Sequence, residues 1–264
     1  MSNEIPKTIH YCWFGRNPLN KMAKKCIKSW RKYCPDYAIV EWNEDNYDIA
    51  SKPRYVREAY AAQKWAFVSD YARFDILYHY GGLYFDTDVE IIRPLHDLVS
   101  KGPFMGCEAD AQMELAANSI SVAPGLGIAA NPGLGIYKQM LDSYANEEFV
   151  REDGTYNYST VVERATRILQ LNGLTDVPGI QSVAGITVYP SEYFCPLDYR
   201  TRILTKTQNT RTIHWYDGSW YSKERRKAQN RSIRLRRIQR MKDKIRLIIG
   251  NRAYERFKQL FTKR

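Results

Sequence analysis

Two aspartates that could hold a metal, Asp86 and Asp88, directly follow a short aromatic and apolar stretch, Leu83 to Phe85. This stretch comes after the turn signal Gly81-Gly82, so the sequence predicts a buried strand that is entered by a sharp turn. Side chains two residues apart on an extended segment point the same way, so both carboxylates can face one point in space. A hard divalent cation that bridges phosphate oxygens needs such ligands. The pair is therefore a candidate metal site.

A second charged pair lies on the helix that the sequence predicts from about residue 63 to residue 80. Asp70 and Arg73 are three residues apart, so they share one face of that helix. One interpretation is a surface ion pair of small energetic value. The other is a carboxylate and a guanidinium that face the same site as the two aspartates.

Three segments of the chain resemble a known family and occur in that family's order: IPKTIHYCWFG near the N-terminus, SDYARFDILYHYGGLYFDTDV, and TIHWYDGSW near residue 220. Over roughly residues 5–220 the chain is similar to glycosyltransferase family 32, which includes clostridial glucosylating toxins, fungal α-mannosyltransferases and bacterial capsule enzymes. The resemblance implies a glycosyltransferase-A type α/β fold, a doubly wound mixed sheet with helices on both faces. It also implies retaining transfer of a sugar from a nucleotide-sugar, foremost a UDP-sugar.

The resemblance further implies roles for single residues. Asp88 is expected to ligate Mn²⁺ or Mg²⁺ directly, and Asp86 to contact the ribose or the metal's water. Asp70 and Arg73 are expected to bind the donor sugar or its diphosphate. The other implied contacts are metal ligation or diphosphate contact by His214, stacking on the base by Trp13, a phosphate hydrogen bond from Tyr84, and diphosphate contacts from Ser219 and Trp220. A structural role for His214 and a core position for Trp13 are the alternatives.

The reaction mechanism and the acceptor are less defined by the sequence. A retaining double displacement needs a carboxylate near the sugar carbon, and Glu108, Asp110 and Asp217 are candidates. We expect front-face attack instead, with the leaving phosphate accepting the acceptor's proton. The region from Glu108 to Asn118 matches no specific acceptor motif. A glycan acceptor, lipid-linked as in bacterial surface polysaccharide synthesis, is the expectation from similar enzymes.

The rest of the sequence predicts the elements that position these residues. Strands at 7–14 and 37–42 flank a helix at 19–33, which is typical of the start of a parallel, doubly wound sheet. Ligands of such sheets lie outside the carboxyl ends of the strands. Later elements are a helix that Asn131-Pro132 would open, a helix at 159–171 and strands at 186–189 and 211–215. The glycine-rich stretch from Ala123 is not predicted to be a phosphate loop, since no parallel-type strand leads into it.

Composition limits the class of protein. With 264 residues, 44% hydrophobic and 13% aromatic, the chain can bury the core of one α/β domain plus an appendage. Its five cysteines are odd in number and contain no Cys-x-x-Cys pair, so we expect reduced core thiols rather than disulfides or a zinc site. Neither a signal-peptide pattern nor a run of about 18 apolar residues is present, which predicts a cytoplasmic protein.

The charge is concentrated in the C-terminal residues 223–264, hereafter the tail. The net charge is +11 overall and +14 in the tail, so residues 1–222, the expected catalytic domain, carry −3. Within the tail, apolar residues recur at helical spacing beside Arg and Lys from Leu235 to Ile248. Such a basic amphipathic helix suits an anionic membrane surface, which predicts peripheral attachment at the inner face. The alternative is packing on the catalytic domain or on another copy. No nucleic-acid-binding signature accompanies the charge.

Two other functions account for parts of the sequence. A haloacid-dehalogenase-like phosphatase also ends an apolar strand in Asp-x-Asp, but it expects Thr or Val where this chain has Glu90, and it places the motif near the N-terminus. A non-catalytic membrane-associated scaffold would use the tail alone. The four charged residues Asp70, Arg73, Asp86 and Asp88 argue against the scaffold.

Overall fold

The computed structural model describes residues 4–110, 120–218 and 223–250. One compact unit takes in residues 1–197 and 205–217, and a second takes in 198–204 and 218–264. The second unit contains the long helix α8 (Lys223–Ile249). Gly250, with φ at 80°, follows its last residue. The division of the chain into domains at residue 222 stays a prediction.

The first unit alternates strands and helices. In chain order its elements are β1 (Thr8–Cys12), α1 (Lys21–Tyr33), β2 (Ala38–Trp42), α2 (Arg54–Ala61), α3 (Trp65–Tyr80), β3 (Gly82–Tyr84), β4 (Val89–Ile91), α4 (His96–Val99), β5 (Phe104–Ala109), β6 (Ser121–Val122), a single 3₁₀ turn (Pro124–Leu126), β7 (Ile128–Ala130), α5 (Gly135–Asp142), α6 (Val161–Leu171), β8 (Gln181–Val183), β9 (Ile186–Tyr189), α7 (Ser191–Phe194) and β10 (Thr212–His214).

The main sheet is mixed, which confirms the predicted fold class. Its strands follow the order β2-β1-β3-β7-β5-β9-β8, and β6 pairs with β5. Strand β1 is parallel to β2 and β3, and β5 is parallel to β9, whereas β7 is antiparallel to both of its neighbours. Strands β4 and β10 form a separate antiparallel ribbon that pairs His214 with Val89. Through this pairing His214, which comes late in the sequence, lies close to the aspartate pair.

Helices cover both faces of the sheet because successive strand residues point to opposite sides. On β3, Leu83 packs into the core that contains α1, and Tyr84 packs into the core that contains α2, α3, α5 and α6. On β5, Phe104 packs into the core that contains α1, and Met105 packs into the core on the opposite face of the sheet. All five cysteines are free and buried, which confirms the expectation of core thiols. No helix in the described part of the chain is long and apolar enough to cross a bilayer.

A tight junction between α3 and β3 sets the position of the aspartate pair. Gly81 and Gly82 have φ of 64° and 96°, and a Cβ on Gly82 would lie 2.6 Å from the Thr8 carbonyl oxygen. The buried His10 clamps this turn. Its Nε2 is 3.0 Å from the Gly81 carbonyl oxygen, and its Nδ1 is 3.0 Å from Trp42 Nε1, which donates. The ring is therefore neutral, with its proton on Nε2.

One predicted helix start is wrong. Asn131 was expected to cap a helix, but α5 begins at Gly135 and its N-cap is Leu134, which makes no side-chain cap hydrogen bond. Residues 131–134 instead turn back towards α3, where the Gly133 N–H donates to the Tyr78 carbonyl oxygen at 2.7 Å. That tertiary hydrogen bond overrides the local Asn-Pro signal.

The buried His10 makes stability depend on pH. Burial lowers the pKa of His10 to about 4 from an ordinary value near 6.5. Below about pH 6.5 the unfolded chain takes up a proton that the folded chain excludes, so stability falls as the pH falls through this window. We expect the native protein to lose about 2 kcal/mol more than a His10→Asn variant between pH 7.5 and pH 5. Urea unfolding of both proteins at both pH values measures this, and equal losses would contradict it.

Candidate functional site

Arg73 lies at the centre of the candidate site, on the buried helix α3. Its guanidinium is 4% exposed, with Nη2 at 2.9 Å from Asp70 Oδ1 and 3.3 Å from Asp86 Oδ1. Its Nε donates to the Ser69 carbonyl oxygen at 3.1 Å, and it lies 5.0 Å from the centroid of the Tyr84 ring. A surface ion pair is therefore the wrong interpretation of Asp70 and Arg73. The pair is buried and includes the first aspartate of the motif.

Charges in this cluster depend on one another. Burial opposes the charge on Arg73, but Asp86, Tyr84 and Asp70 together raise its pKa above the ordinary value. Burial raises the pKa of Asp70 to about 6, even though Arg73 acts in the opposite direction. The arginine thus stays charged, and it offsets part of the effect of burial on the pKa of Asp70.

The two aspartates do not lie on an extended segment, which corrects the geometry inferred from the sequence. The Val89 N–H donates to the Asp86 carbonyl oxygen at 3.0 Å, so residues 86–89 form a turn. Asp86 accepts from Arg73 and from the Tyr84 hydroxyl, which is 3.3 Å away. Asp88 accepts instead from the Asp217 N–H at 2.9 Å and lies 3.3 Å from His214 Nε2. Each carboxylate has its own cationic neighbour.

Asp88 and His214 form the second ion pair of the site, and their side chains are 18% and 17% exposed. Burial alone would lower the pKa of His214, but the Asp88 carboxylate raises it well above its ordinary value. Burial would raise the pKa of Asp88, but the neighbouring His214 outweighs this effect and the pKa of that carboxyl is lowered. The pair is therefore an imidazolium and a carboxylate. None of the described residues offers His214 Nδ1 a hydrogen bond of good geometry, although that atom is buried.

A third group of residues surrounds this pair and was only partly foreseen. Asn20, the N-cap of α1, donates from Nδ2 to Asp217 Oδ2 at 3.0 Å. The Tyr216 hydroxyl donates to Glu108 Oε1 at 2.9 Å, and Cys195 Sγ is 3.0 Å from that hydroxyl. The third candidate carboxylate, Asp110, is committed to the Ser191 N–H at 2.7 Å. Tyr216 and Asn20 were missed because neither has a local signal; long-range pairing alone brings them here.

The structure thus unites most of the predicted site residues, in two adjoining clusters. Arg73 connects Asp70, Tyr84 and Asp86, while Asp88 contacts His214. Trp13 is half-buried after β1 and donates from Nε1 to the Asn17 carbonyl oxygen. Tyr84, expected to reach a phosphate, is 1% exposed, and its hydroxyl is directed to Asp86. Ser219 and Trp220 lie outside the described residues.

The donor set fits a hard cation that is shared with a substrate. In the described ranges no three His, Cys, Asp or Glu side chains are grouped so as to hold a metal by themselves. Mg²⁺ is commonly bound by one or two carboxylates plus substrate phosphates rather than by an all-protein cage. Two carboxylates on one turn, with an imidazole beside the second, match that pattern.

Fold and site together define an α/β protein whose polar cluster lies at the carboxyl end of β3, where open sheets bind their ligands. Residues 20–105 match the family model described as a glycosyltransferase sugar-binding region containing a DXD motif, and Asp86 and Asp88 are that motif. The match confirms the resemblance to DXD-type sugar transferases of the family 32 kind.

The chain is also similar to one curated protein and to several solved structures. Over 113 residues the chain is 31% identical to inositol phosphoceramide mannosyltransferase 1 of Schizosaccharomyces pombe, a stretch that covers 39% of this chain and 34% of that protein. The chain thus spans about a third of the length of this curated relative. Similar solved structures include the PaToxG glycosyltransferase (TM-score 0.45, 19% identity, 63% and 69% of the two chains) and the galactosyltransferase LgtC (TM-score 0.38, 15% identity, 87% and 95%).

Replacing Arg73 by lysine should destabilise the protein. An ammonium cannot reproduce the fork that contacts Ser69, Asp70 and Asp86 together, so the largely buried Asp70 and the partly exposed Asp86 lose their partner. We expect the free energy of unfolding to fall by about 3 kcal/mol. The matched control is Arg57→Lys at an exposed position of α2. We expect this control to change the free energy of unfolding by less than about 0.5 kcal/mol. Denaturant titration compares them, and an equal effect of both would contradict the central role of Arg73.

Proposed function

We propose that the protein is a metal-dependent, retaining glycosyltransferase that moves a sugar from a nucleotide-sugar to a glycan acceptor. The observation that supports this most is the buried Asp70–Arg73–Asp86 cluster beside Asp88, inside the region that matches the sugar-binding family. Mn²⁺ or Mg²⁺, when bound, would neutralise the charge that develops on the leaving phosphate. Asp88 and Asp86 would hold the metal together with phosphate oxygens of the donor. His214 is the third candidate ligand, and it would have to release the proton that it shares with Asp88 before a ring nitrogen could bind the metal.

The remaining residues would bind and orient the donor. Arg73 presents a fixed guanidinium that can pair with the donor sugar or diphosphate, and Asp70 can accept hydrogen bonds from sugar hydroxyls. Trp13 would stack on the base, and Ser219 and Trp220 would reach the diphosphate. A UDP-sugar is the proposed donor. GDP-mannose is the main competitor, because the curated relative is named a mannosyltransferase.

Front-face attack is the mechanism that we propose for retention. Of the three carboxylates that could act as nucleophile, Asp110 is 4% exposed and accepts from Ser191, so it is the least available. Glu108 accepts from Tyr216, and Asp217 is tied to Asn20. We expect Glu108→Gln and Asp217→Asn each to hydrolyse the donor at a rate within about tenfold of the native rate. That result excludes a double displacement through either carboxylate.

The test of the catalytic proposal is donor hydrolysis with and without metal. We expect release of the nucleotide from a UDP-sugar only with Mn²⁺ or Mg²⁺, and a loss of at least about 100-fold in Asp88→Ala with the fold retained. Asp142→Ala, which removes an exposed carboxylate on α5, is the control and should keep full activity. A panel of UDP-sugars and GDP-mannose, read by mass spectrometry of the released nucleotide, identifies the donor. Full turnover in EDTA would overturn the proposal.

The tail is proposed to hold the enzyme at the cytoplasmic face of an anionic membrane, next to a lipid-linked glycan acceptor of bacterial surface polysaccharide synthesis. Helix α8 exposes Met241, Ile245 and Ile248 by 63%, 39% and 81% among basic residues. Exposed apolar side chains flanked by Lys and Arg are typical of interfacial helices. The name of the fungal relative, with a ceramide lipid as acceptor, supports a lipid-linked acceptor.

Liposome sedimentation tests the tail. We expect the full chain to sediment with anionic vesicles and to be released by high salt, because each Lys or Arg contributes roughly 1 kcal/mol that salt screens. Truncation after Ser222 should abolish sedimentation and leave donor hydrolysis intact. A variant with Met241, Ile245 and Ile248 changed to Gln keeps every charge and should bind more weakly. A loss of thermal stability on truncation, with no liposome binding by the full chain, would favour packing on the catalytic domain.

A further inference from the structure

The glycine-rich stretch that begins at Ala123 lies against the DXD motif, although it is no phosphate loop. Its 3₁₀ turn, Pro124–Leu126, is buried, and the Gly125 carbonyl oxygen accepts the Asp86 N–H at 2.9 Å. A Cβ built on Gly125 would lie 1.9 Å from Asp86 Oδ2 and 2.9 Å from Arg73 Nη1. Real Cβ atoms do not approach other atoms so closely. The space beside Gly125 is therefore occupied by the Asp86 carboxylate.

The turn that contains Gly125 has little freedom to retreat. The Ala123 N–H donates to the Gly106 carbonyl oxygen on β5 at 3.0 Å, and the preceding Val122 N–H donates to Thr166 on α6 at 2.9 Å. On the other side of the turn, a Cβ on Gly127 would be 2.5 Å from the Phe85 ring. A larger residue at position 125 would thus move the Asp86 side chain, which is short and terminal, rather than the turn.

We propose that Gly125 is a positioning residue for donor binding. Its missing side chain leaves the room in which the Asp86 carboxylate meets the Arg73 guanidinium, and its carbonyl oxygen fixes the Asp86 backbone. The φ of Gly125 is not positive, so the requirement for glycine there is one of space rather than of backbone conformation. The functional part rests on the proposed glycosyltransferase activity, whereas the contact with Asp86 does not.

A double-mutant cycle with Asp86 tests the contact without any substrate. We expect Gly125→Ala to lower the melting temperature by about 4 °C in the native background and by at most about half of that in Asp86→Ala, where the carboxylate is gone and only the 2.9 Å approach to Arg73 Nη1 remains. Gly106→Ala is the matched control. Its Cβ would meet Phe194 at 2.7 Å instead, so its effect should be equal in both backgrounds. Equal effects of Gly125→Ala in the two backgrounds would overturn the proposal.

Donor hydrolysis and binding test the consequence. In folded Gly125→Ala, with Asp86 displaced, we expect kcat/KM for the UDP-sugar to fall by about 100-fold. Gly135→Ala, where an added Cβ meets nothing within 4 Å, should keep full activity. Calorimetric titration with UDP and Mn²⁺ separates weaker binding from slower chemistry. Native activity in a folded Gly125→Ala would refute the positioning role. If the native protein does not hydrolyse the donor, the proposed function is refuted, while the double-mutant cycle with Asp86 still tests the contact.

Discussion

The buried Arg73 guanidinium is the interaction on which the candidate site depends. A charge that is 4% exposed is stable only if ionised partners surround it, and Asp70 and Asp86 supply them from α3 and from the end of β3. These residues must therefore converge whenever the domain is folded. Removing either carboxylate leaves the charge on the arginine with less compensation, and removing the arginine leaves the largely buried Asp70 without its cation. Correct folding and assembly of the site are consequently one requirement.

The second cluster depends on pairing between residues far apart in sequence. His214 reaches Asp88 because β10 pairs with β4 in an antiparallel ribbon, and Asn20 reaches Asp217 from the start of α1. Segments from the beginning, middle and end of the first unit thus meet around one turn. Each cluster pairs a carboxylate of the motif with a cation, the buried Arg73 in one and the half-buried His214 in the other. The turn at residues 86–89 joins the two clusters, because Asp86 belongs to one and Asp88 to the other.

The sequence predicted the parts of this arrangement that have local signals. Helices α1, α3 and α6, the Gly81-Gly82 turn and strand β9 follow from periodicity and turn chemistry, and the structure confirms them. The ion pair of Asp70 and Arg73 could be seen as a pair, but not as buried, because burial depends on what packs over α3. The antiparallel strand β7 and the Pro124–Leu126 turn had no local signal. The helix start predicted at Asn131 is wrong because the hydrogen bond from Gly133 to Tyr78 on α3 sets the backbone conformation there.

The charge balance of the clusters bears on what they can bind. Asp70, Asp86 and Asp88 bring three carboxylates, against which Arg73 and His214 bring two cations, and residues 1–222 as a whole carry −3. A diphosphate that approaches such a surface meets net repulsion unless a further positive charge lies between it and the carboxylates. A divalent cation supplies that charge and uses the carboxylates as ligands. This balance supports the proposed metal dependence through the charges that the fold brings together around the motif, in addition to the spacing of the motif itself.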